Sequence, residues 1–352
     1  MNKNIYILPV SATFRNIHYP EPIISFPQDL EDKIKEKHPS FKLRSSLSKG
    51  AKVRVFEGTL DKKKVVVKHT ENREPRLPVD YLIMSDAHSA EVRVLKRLAT
   101  EQHIRVPQLI DNLSKITTLV MEDARVDGFT NLSQLILKKK INMKSAKHIG
   151  VALAHLAQTS REWEEFKTNE SAQLSFYERS LEMLIAYPNN LKRYKELEMQ
   201  FTQYEQEKEA QAKKARYFVW PDSHPENMLV DKSGAVTFIN FGRCHWGDQS
   251  YMLPNFLAHM VVYGLIKYIT KSKLIKYMEA CIKAYKEVEP IENEKLFAQY
   301  LAMELLHRAN GRSIEGIAKK EHKISIQSLG LTIFDSKITS IKKLIQLIKK
   351  AK

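Results

Sequence analysis

The chain has 352 residues, enough for two lobes or two domains, and 43% of them are hydrophobic, enough for a sizeable core. A mean hydropathy of −0.39 and the lack of a long apolar run argue against a membrane-spanning helix, and the apolar piece at residues 5–10 is too short for a signal peptide. The net charge of +16 is compatible with a nucleotide, an acidic substrate, a nucleic acid or an anionic lipid as partner, but charge alone does not choose among them and an ordinary basic surface is favoured. Two cysteines in so long a chain predict a reducing, cytoplasmic location.

The first part of the chain predicts a small, strand-rich region. Residues 1–40 contain five prolines that interrupt any long element, so we interpret them as a lead-in packed on the first lobe, with one short helix at 28–37. Alternating and β-branched residues then predict a hairpin that ends in Lys68. Its strands are predicted at 48–56 and 65–68, and its turns at 57–58 and 61–64.

Lys68 ends a β-branched run, where a buried ammonium group requires a partner. A helix is predicted at 85–100 from apolar residues spaced three and four apart, and it carries Glu91. We therefore predict an ion pair between Lys68 and Glu91. The alternative is a solvated lysine with a surface glutamate, and Glu101 at the helix end is a poorer partner.

Two more strands, at 106–110 and 117–121, precede a predicted series of helices, and polarity rises sharply at residues 122–124. The C-terminal residues 338–352 predict a basic amphipathic helix, with six lysines and no acid over residues 337–352. Such a helix is compatible with an anionic membrane surface, but packing on its own domain is favoured. The other helices are predicted at 132–137, 145–158, 251–268, 272–287 and 294–310, and residues 170–215 are predicted to be a charged, helix-rich segment that is interrupted at 187–190.

The most informative stretch is 217–242. An apolar strand at 217–220 enters a polar loop in which Asp222 and Asn227 are five residues apart, and a strand at 235–239 leads to Asn240. Short strands at this stretch thus present three oxygen-bearing side chains. A carboxylate beside an attacking hydroxyl, with two hard oxygen ligands for Mg²⁺, is how a phosphoryl-transfer site is commonly built.

These residues resemble the aminoglycoside phosphotransferase and choline kinase branch of the protein-kinase-like families. Asp222 and Asn227 fit the catalytic-loop spacing D-x-x-x-x-N, and Asn240-Phe241-Gly242 stands where D-F-G is expected. Further matches to the branch's motifs H-P-x-N and W-G-D-P-x-Y-D fall at His224, Pro225, Trp246, Gly247, Asp248 and Tyr251. The departures are Trp220 in place of His, Pro221 in place of Gly, and Asn240 in place of the metal-binding Asp.

The resemblance implies a two-lobed α+β fold of the protein-kinase-like type, with an antiparallel-sheet N-terminal lobe and a larger helical C-terminal lobe. It also implies that ATP or GTP binds together with Mg²⁺, and that the γ-phosphoryl group passes to a hydroxyl group of a small-molecule acceptor. The parts are predicted at 1–40 (lead-in), 41–120 (N-lobe), 121–124 (hinge) and 125–352 (C-lobe, with the catalytic loop at 217–242).

Roles for individual residues follow from the same resemblance. Asp222 would accept the proton of the acceptor's hydroxyl group. Asn227 and Asn240 would hold Mg²⁺, and they would hold it weakly, because Asn240 offers only a carbonyl dipole where the family has a carboxylate. His224, Asp248 and Tyr251 are expected to shape the loop and the lobe instead of contacting substrate.

The implied nucleotide site lies between the two lobes. Lys68, with Glu91 behind it, would orient the phosphates, while Gly50 would let a loop approach them and Met121 would line the back of the pocket. The backbone groups of Glu122 and Ala124 would bind the adenine edge. For Gly50 and Met121 an ordinary turn residue and a core residue are the alternatives.

Two other classes of protein stay open. A pseudokinase would bind nucleotide or a protein partner in the same cleft without efficient transfer, and Asn240 is the residue that favours it. A basic nucleic-acid-binding protein is disfavoured, because the lysine-rich stretches at 138–140 and 342–343 have no interleaved aromatic residues on which bases could stack.

Overall fold

Two parts make up the chain, in line with the predicted α+β fold: an antiparallel sheet comes first and a larger, mostly helical part follows. Gly50 and residues 1–27 of the predicted lead-in lie outside the described residues. The computed structural model describes residues 28–47, 53–70, 78–168, 191–214, 217–310, 319–336 and 338–351.

The first part is an antiparallel sheet that is covered on one face by a short helix. The strands are β1 (Lys42–Ser46), β2 (Val53–Leu60), β3 (Lys63–Thr70), β4 (Leu109–Leu113) and β5 (Thr118–Glu122). Among the described residues they are ordered β1-β2-β3-β5-β4. Helix α1 (Gln28–Lys35) packs Leu30 and Ile34 against the buried side chains of this sheet, which gives the first part a core of its own.

The hairpin of β2 and β3 is present, but its predicted turns need correction. β2 runs unbroken through Gly58, where the sequence predicts a turn, because this glycine makes room for an aromatic ring: an added Cβ would lie 2.8 Å from the ring of Phe41. The connecting turn consists of Asp61 and Lys62, whose φ angles of 48° and 65° are those of a type I′ turn. Lys63 and Lys64 already belong to β3.

Two further boundaries differ from the prediction. β4 begins at Leu109 instead of residue 106, since Pro107 has no backbone N–H to give to a ladder and pairing with β5 is registered from Leu109 onward. Helix α2 (Pro78–Leu98) begins well before residue 85. Pro78 occupies the first position of α2. The N–H at this position has no partner within a helix, so a proline is tolerated there.

The helical part surrounds one large apolar core. Its helices are α3 (Leu132–Leu137), α4 (Lys144–Thr159), α5 (Leu191–Lys214), α6 (Met252–Leu265), α7 (Lys271–Lys286), α8 (Glu294–Asn310), α9 (Lys320–Asp335) and α10 (Ile341–Lys350). The predicted helices agree within a few residues, and α9 has no counterpart in the prediction. α4 packs closely on α7 at Gly150, where an added Cβ would lie 2.3 Å from the carbonyl oxygen of Cys281.

Short strands between the two helical groups support the loops of the candidate site. They are β6 (Thr130–Asn131), β7 (Tyr217–Val219), β8 (Met228–Val230), β9 (Val236–Phe238) and β10 (His245–Gly247). β6, β8 and β9 form one small sheet, and β7 pairs with β10 in another. The loop from β7 to β8 and the loop from β9 to β10 therefore leave neighbouring strands.

The C-terminal helix α10 packs its apolar face on its own protein, as the sequence favours. Ile341, Leu344, Ile345 and Ile348 are buried, whereas the lysines of the helix are exposed. Over the described ranges, no helix combines the length and apolar composition that crossing a membrane requires.

Candidate active site

The loop after β7 is held in a fixed shape by its own hydrogen bonds and by helix α6. The N–H of His224 donates to the carbonyl oxygen of Asp222 at 2.8 Å, and the N–H of Asn227 donates to that of His224 at 2.9 Å. Ser223 Oγ donates to the carbonyl oxygen of Met252 at 2.8 Å, and Asn255 Nδ2 donates to Ser223 Oγ at 3.1 Å. Asp222, which is only 6% exposed, lies at the start of this loop.

The predicted pair of Lys68 and Glu91 is formed. Lys68 Nζ donates to Glu91 Oε2, with 9% and 3% of the two residues exposed, so β3 and α2 are joined by a buried ion pair. The same ammonium group donates to Asn240 Oδ1 at 2.8 Å. Lys68 thus links the sheet-bearing part of the chain to the loop after β9.

Hydrogen bonds continue from Lys68 to the loop after β7. Asn240 Nδ2 donates to Asn227 Oδ1 at 3.1 Å, and Asn227 Nδ2 donates to the carbonyl oxygen of Asp222 at 2.8 Å. Four segments that are far apart in sequence therefore meet in one chain of contacts. Of the sequence-predicted site residues, it contains Lys68, Glu91, Asp222, Asn227 and Asn240.

Asn240 has a left-handed backbone, which its residue type tolerates. Its φ angle is 68°, a region that asparagine enters at lower cost than most residues. Trp220, the departure from the family's histidine, holds this conformation: its indole Nε1 donates to the carbonyl oxygen of Asn240 at 3.1 Å. The Trp220 ring is fully buried between Phe238 and Phe241. Trp220 and Asn240, two of the three departures from the family motif, are therefore in direct contact.

Arg243 brings a positive charge next to the candidate catalytic carboxylate. Its Nη1 lies 3.9 Å from Asp222 Oδ1. The next residue, Cys244, is fully buried within electrostatic range of Asp222, Glu91 and Lys68, and burial raises the pKa of its thiol well above the ordinary value. Cys244 is therefore a neutral packing group beneath the site.

Behind the loop, buried polar residues connect it to helix α8. His224 Nε2 lies 3.2 Å from Asn227 Nδ2, and the His224 ring stacks on that of His259 with 4.8 Å between centroids. His259 Nε2 is 3.7 Å from the fully buried Glu304, which accepts hydrogen bonds from Tyr251 and Arg308. These contacts support the loop from below, the role that the sequence suggests for His224 and Tyr251.

Asp248 has a structural environment. Its Oδ2 accepts a hydrogen bond from Tyr300 at 2.7 Å, and its Oδ1 accepts from the N–H of Ser250 at 2.9 Å, so it caps the short helix at Gln249–Tyr251. Burial raises the pKa of the Asp248 carboxyl group, while these hydrogen bonds oppose the shift. The Asp248 carboxylate therefore stabilises the fold through these internal hydrogen bonds, the role that the sequence suggests for it.

The predicted hinge residues 121–124 span the end of β5, which contains Met121 and Glu122, and the two residues after it. Met121 and Ala124 are buried and belong to apolar clusters of the protein. The side chain of Glu122 accepts from the N–H of Gln108 at 3.2 Å, and the N–H of Glu122 donates to the carbonyl oxygen of Gln108 at 2.9 Å, so only the carbonyl oxygen of Glu122 is a candidate for contact with a base. Asp123 caps the following turn and binds Arg125 through two oxygens at 2.7 Å, a contact that the sequence reasoning missed.

The site's oxygen donors suit a hard cation in kind but supply little charge. Asp222, Asn227 and Asn240 offer one carboxylate and two amide oxygens, and oxygen ligands are what Mg²⁺ prefers. The hydrogen bond between the two asparagine side chains keeps their oxygens close together. Among the described residues, no group of three His, Cys, Asp or Glu side chains could hold a metal. The donor set therefore fits a weakly held magnesium ion.

A sequence model of the phosphotransferase enzyme family matches residues 45–258, more than half of the 352 residues. The chain therefore belongs to this family. A search of curated protein sequences found no match.

Solved structures of kinases share the fold at low sequence identity. An amicoumacin kinase, solved in complex with AMP-PNP and Ca²⁺, aligns with a TM-score of 0.61 and 13% identity over 92% of this chain and 97% of its own. An ethanolamine kinase of Plasmodium vivax aligns with a TM-score of 0.56 and 11% identity over 88% of this chain and 87% of its own. A microcompartment-associated aminopropanol kinase aligns with a TM-score of 0.55 and 13% identity over 87% of this chain and 97% of its own. The likeness establishes the two-lobed, protein-kinase-like α+β fold.

Three residues at the site escaped the sequence reasoning. Arg243 stands directly after the Asn240-Phe241-Gly242 motif, and its charge at that position was the available signal. Glu304 is an acid among apolar positions of a predicted helix, which is the pattern of a buried polar group with partners. Trp220 was visible as a departure, but its contact with Asn240 requires the fold.

Proposed function

We propose that this protein transfers the γ-phosphoryl group of ATP or GTP to a hydroxyl group of a small molecule. The observation that carries the proposal is the contact chain from Lys68 through Asn240 and Asn227 to the backbone of Asp222. It contains an ammonium group and two amide oxygens and ends at the residue that carries the candidate carboxylate, and these are the group types that position a triphosphate and an attacking alcohol.

In the proposed reaction, the acceptor's oxygen forms a bond to the γ-phosphorus while the bond between that phosphorus and the β,γ-bridging oxygen breaks. The nucleoside diphosphate leaves, and the hydroxyl proton passes to the Asp222 carboxylate. Lys68 is held by Glu91 so that its charge faces the phosphates, where it stabilises the charge that develops during transfer.

Other residues would bind and orient the nucleotide. The backbone of Glu122 and Ala124 would meet the base edge beside Met121, and Gly50 would allow close approach of backbone N–H groups to phosphate. Asn227 and Asn240 would hold Mg²⁺ through their amide oxygens. When bound, the ion would neutralise part of the phosphate charge. Nucleotide-bound structures of relatives, such as the amicoumacin kinase with AMP-PNP, support the nucleotide part of the proposal.

A pseudokinase is the second candidate, and one observation favours it. The side-chain oxygens of Asn240 and Asn227 both accept hydrogen bonds within the protein, the first from Lys68 and the second from Asn240. A metal would have to displace these donors. A neutral amide oxygen binds the metal more weakly than a carboxylate does, so the displacement is less favourable here. Such a protein would bind nucleotide without efficient transfer.

A thermal-shift screen of ATP and GTP, with and without Mg²⁺ or Mn²⁺, tests the common part of both candidates. Binding to the folded state should raise the melting temperature. Adenosine, which lacks phosphates, is the matched ligand control. No shift with either triphosphate at millimolar concentration would overturn the proposal, whereas a shift leads to a panel of small alcohols with nucleotide consumption as the readout.

A further inference from the structure

The charges of the candidate site balance without a metal. Glu91 and Asp222 carry one negative charge each, and Lys68 and Arg243 carry one positive charge each. The family's metal-binding Asp would add a third negative charge, but Asn240 is neutral. A triphosphate would therefore meet two cations and one fewer repelling carboxylate than the family pattern provides.

Arg243 is placed to use its charge on a phosphate. Its side chain is 36% exposed, whereas the side chain of Asp222 beside it is 9% exposed, so the guanidinium group lies at the open edge of the site. In the proposed reaction the acceptor oxygen lies at Asp222 and attacks the γ-phosphorus. A cation 3.9 Å from that carboxylate is therefore a neighbour of the transferred group.

The backbone on both sides of Arg243 is fixed. An added Cβ at Gly242 would lie 3.2 Å from the Cβ of Ala87, which shows how closely this turn packs on helix α2. The N–H of Cys244 donates to the carbonyl oxygen of Phe241 at 3.1 Å, and His245 Nδ1 lies 3.2 Å from the carbonyl oxygen of Arg243. The turn is anchored on buried residues, while the Arg243 side chain is 36% exposed.

From this geometry we propose that Arg243 is a second phosphate-binding cation, which together with Lys68 binds the terminal phosphates of the nucleotide and makes triphosphate binding largely independent of divalent metal. A guanidinium group is charged at all relevant pH values, and its planar N–H groups match two phosphate oxygens at once. The inference rests on the proposed function, because it takes the nucleotide site as given.

The test measures affinities for ATP and AMP by calorimetry in EDTA, for wild type, Arg243→Gln and Arg97→Gln. Arg97 is the matched control, since it is an exposed arginine of α2 that pairs with Glu165. Wild type should bind ATP more tightly than AMP in EDTA. Arg243→Gln should weaken ATP binding by about tenfold, the loss of one charge-assisted contact, and leave AMP binding unchanged. Arg97→Gln should match wild type.

Three outcomes would overturn parts of the account separately. Wild type that binds ATP with Mg²⁺ but not in EDTA, or that binds ATP no more tightly than AMP there, overturns the inference alone, and this holds even if Arg243→Gln fails to fold. Equal ATP affinity of Arg243→Gln and Arg97→Gln in EDTA also overturns it. Wild type that binds no triphosphate under any condition overturns the proposed function as well.

Discussion

A single ammonium group, that of Lys68, joins the two parts of the candidate site. It contacts Glu91 on α2 and Asn240 in the loop after β9, and it is almost completely buried. A buried ion pair is weak evidence for stability, because both charges have lost their water. We expect the pair of Lys68 and Glu91 to hold the ammonium group in position for phosphate binding, and not chiefly to stabilise the fold.

Lys68→Ala is predicted to weaken ATP binding by about tenfold or more, since a charge-assisted contact to phosphate is lost. It should also lower the melting temperature, because Glu91 keeps a buried charge without its ammonium partner.

The double variant Lys68→Met/Glu91→Gln removes both charges and should recover stability but not ATP binding. Lys64→Ala, an exposed lysine of the same strand, is the control. Unchanged ATP affinity in Lys68→Ala would remove Lys68 from the site.

Asn240→Asp is predicted to reverse the effect of metal on nucleotide binding. In EDTA the new carboxylate should pair with Lys68, which is 2.8 Å from this side chain, and repel phosphate, so ATP binds more weakly than to wild type. With Mg²⁺ the carboxylate becomes a full-charge ligand, so ATP binds more tightly. Because Asp also tolerates the left-handed backbone at this position, a difference in ATP affinity between Asn240→Asp and wild type would reflect the added charge and not a change in backbone conformation.

Calorimetry at several Mg²⁺ concentrations measures this reversal, and Asn293→Asp, at the start of α8, serves as a control distant in sequence from the site motifs. A curve for Asn240→Asp that lies parallel to that of wild type at all metal concentrations would show that residue 240 is no metal ligand.

At this scale, local spacing was sufficient to find Asp222 and Asn227, because five residues and a short helix fix their relation. Lys68 and Glu91 could also be paired from sequence, since each lies on a regular element with a readable buried face. Arg243 and Trp220 could not be assigned, because their contacts with Asp222 and Asn240 depend on how two loops lie side by side.

At the scale of elements, packing decides several features that composition leaves open. Gly58 resembles a turn residue in sequence, yet it lies inside β2 because the Phe41 ring covers it. The pairing of β7 with β10 joins strands of three residues, too short for a reliable periodic signal. The long helices α4, α5 and α8 were predictable, since their apolar spacing or length extends over several turns.

Gly150→Ala is predicted to destabilise the protein, although alanine is the better helix former by about 1 kcal/mol. The added methyl group would collide with the backbone carbonyl of Cys281 at 2.3 Å, and a backbone atom of α7 cannot move aside without shifting its helix. We expect a loss of about 1–3 kcal/mol in the free energy of unfolding.

Urea unfolding measures this loss, and Lys147→Ala at an exposed position of the same helix should stay within about 0.5 kcal/mol of wild type. A Gly150→Ala protein as stable as the control would contradict the close packing of α4 on α7.

For the whole molecule, the surface charge and the site charge have different meanings. The net charge of +16 is consistent with attraction of anionic ligands in general, but it does not identify one. α10 illustrates the limit: its lysines are exposed, while the apolar face that would enter a membrane is buried against the protein. Specific recognition is expected at the candidate site, where Lys68 contacts the neutral Asn240 and Arg243 lies beside Asp222.

The fold class was predictable because the motif at 217–242 belongs to one family, to which the match over residues 45–258 now assigns the chain. The acceptor could not be predicted, because no residue pattern in the sequence identifies it. Wild-type activity is therefore the quantity on which the account depends.

The most direct measurement follows the γ-phosphate of ATP by phosphorus NMR in the presence of a panel of small alcohols, for wild type, Asp222→Asn and Asp32→Asn. Asp32 is an exposed acid on α1 and serves as the matched control. We predict phosphate transfer by wild type and by Asp32→Asn, and a loss of at least about 100-fold in Asp222→Asn, because the general base is absent. Unchanged transfer by Asp222→Asn would contradict the site, and a wild type that binds ATP but transfers no phosphate with any metal would be a pseudokinase.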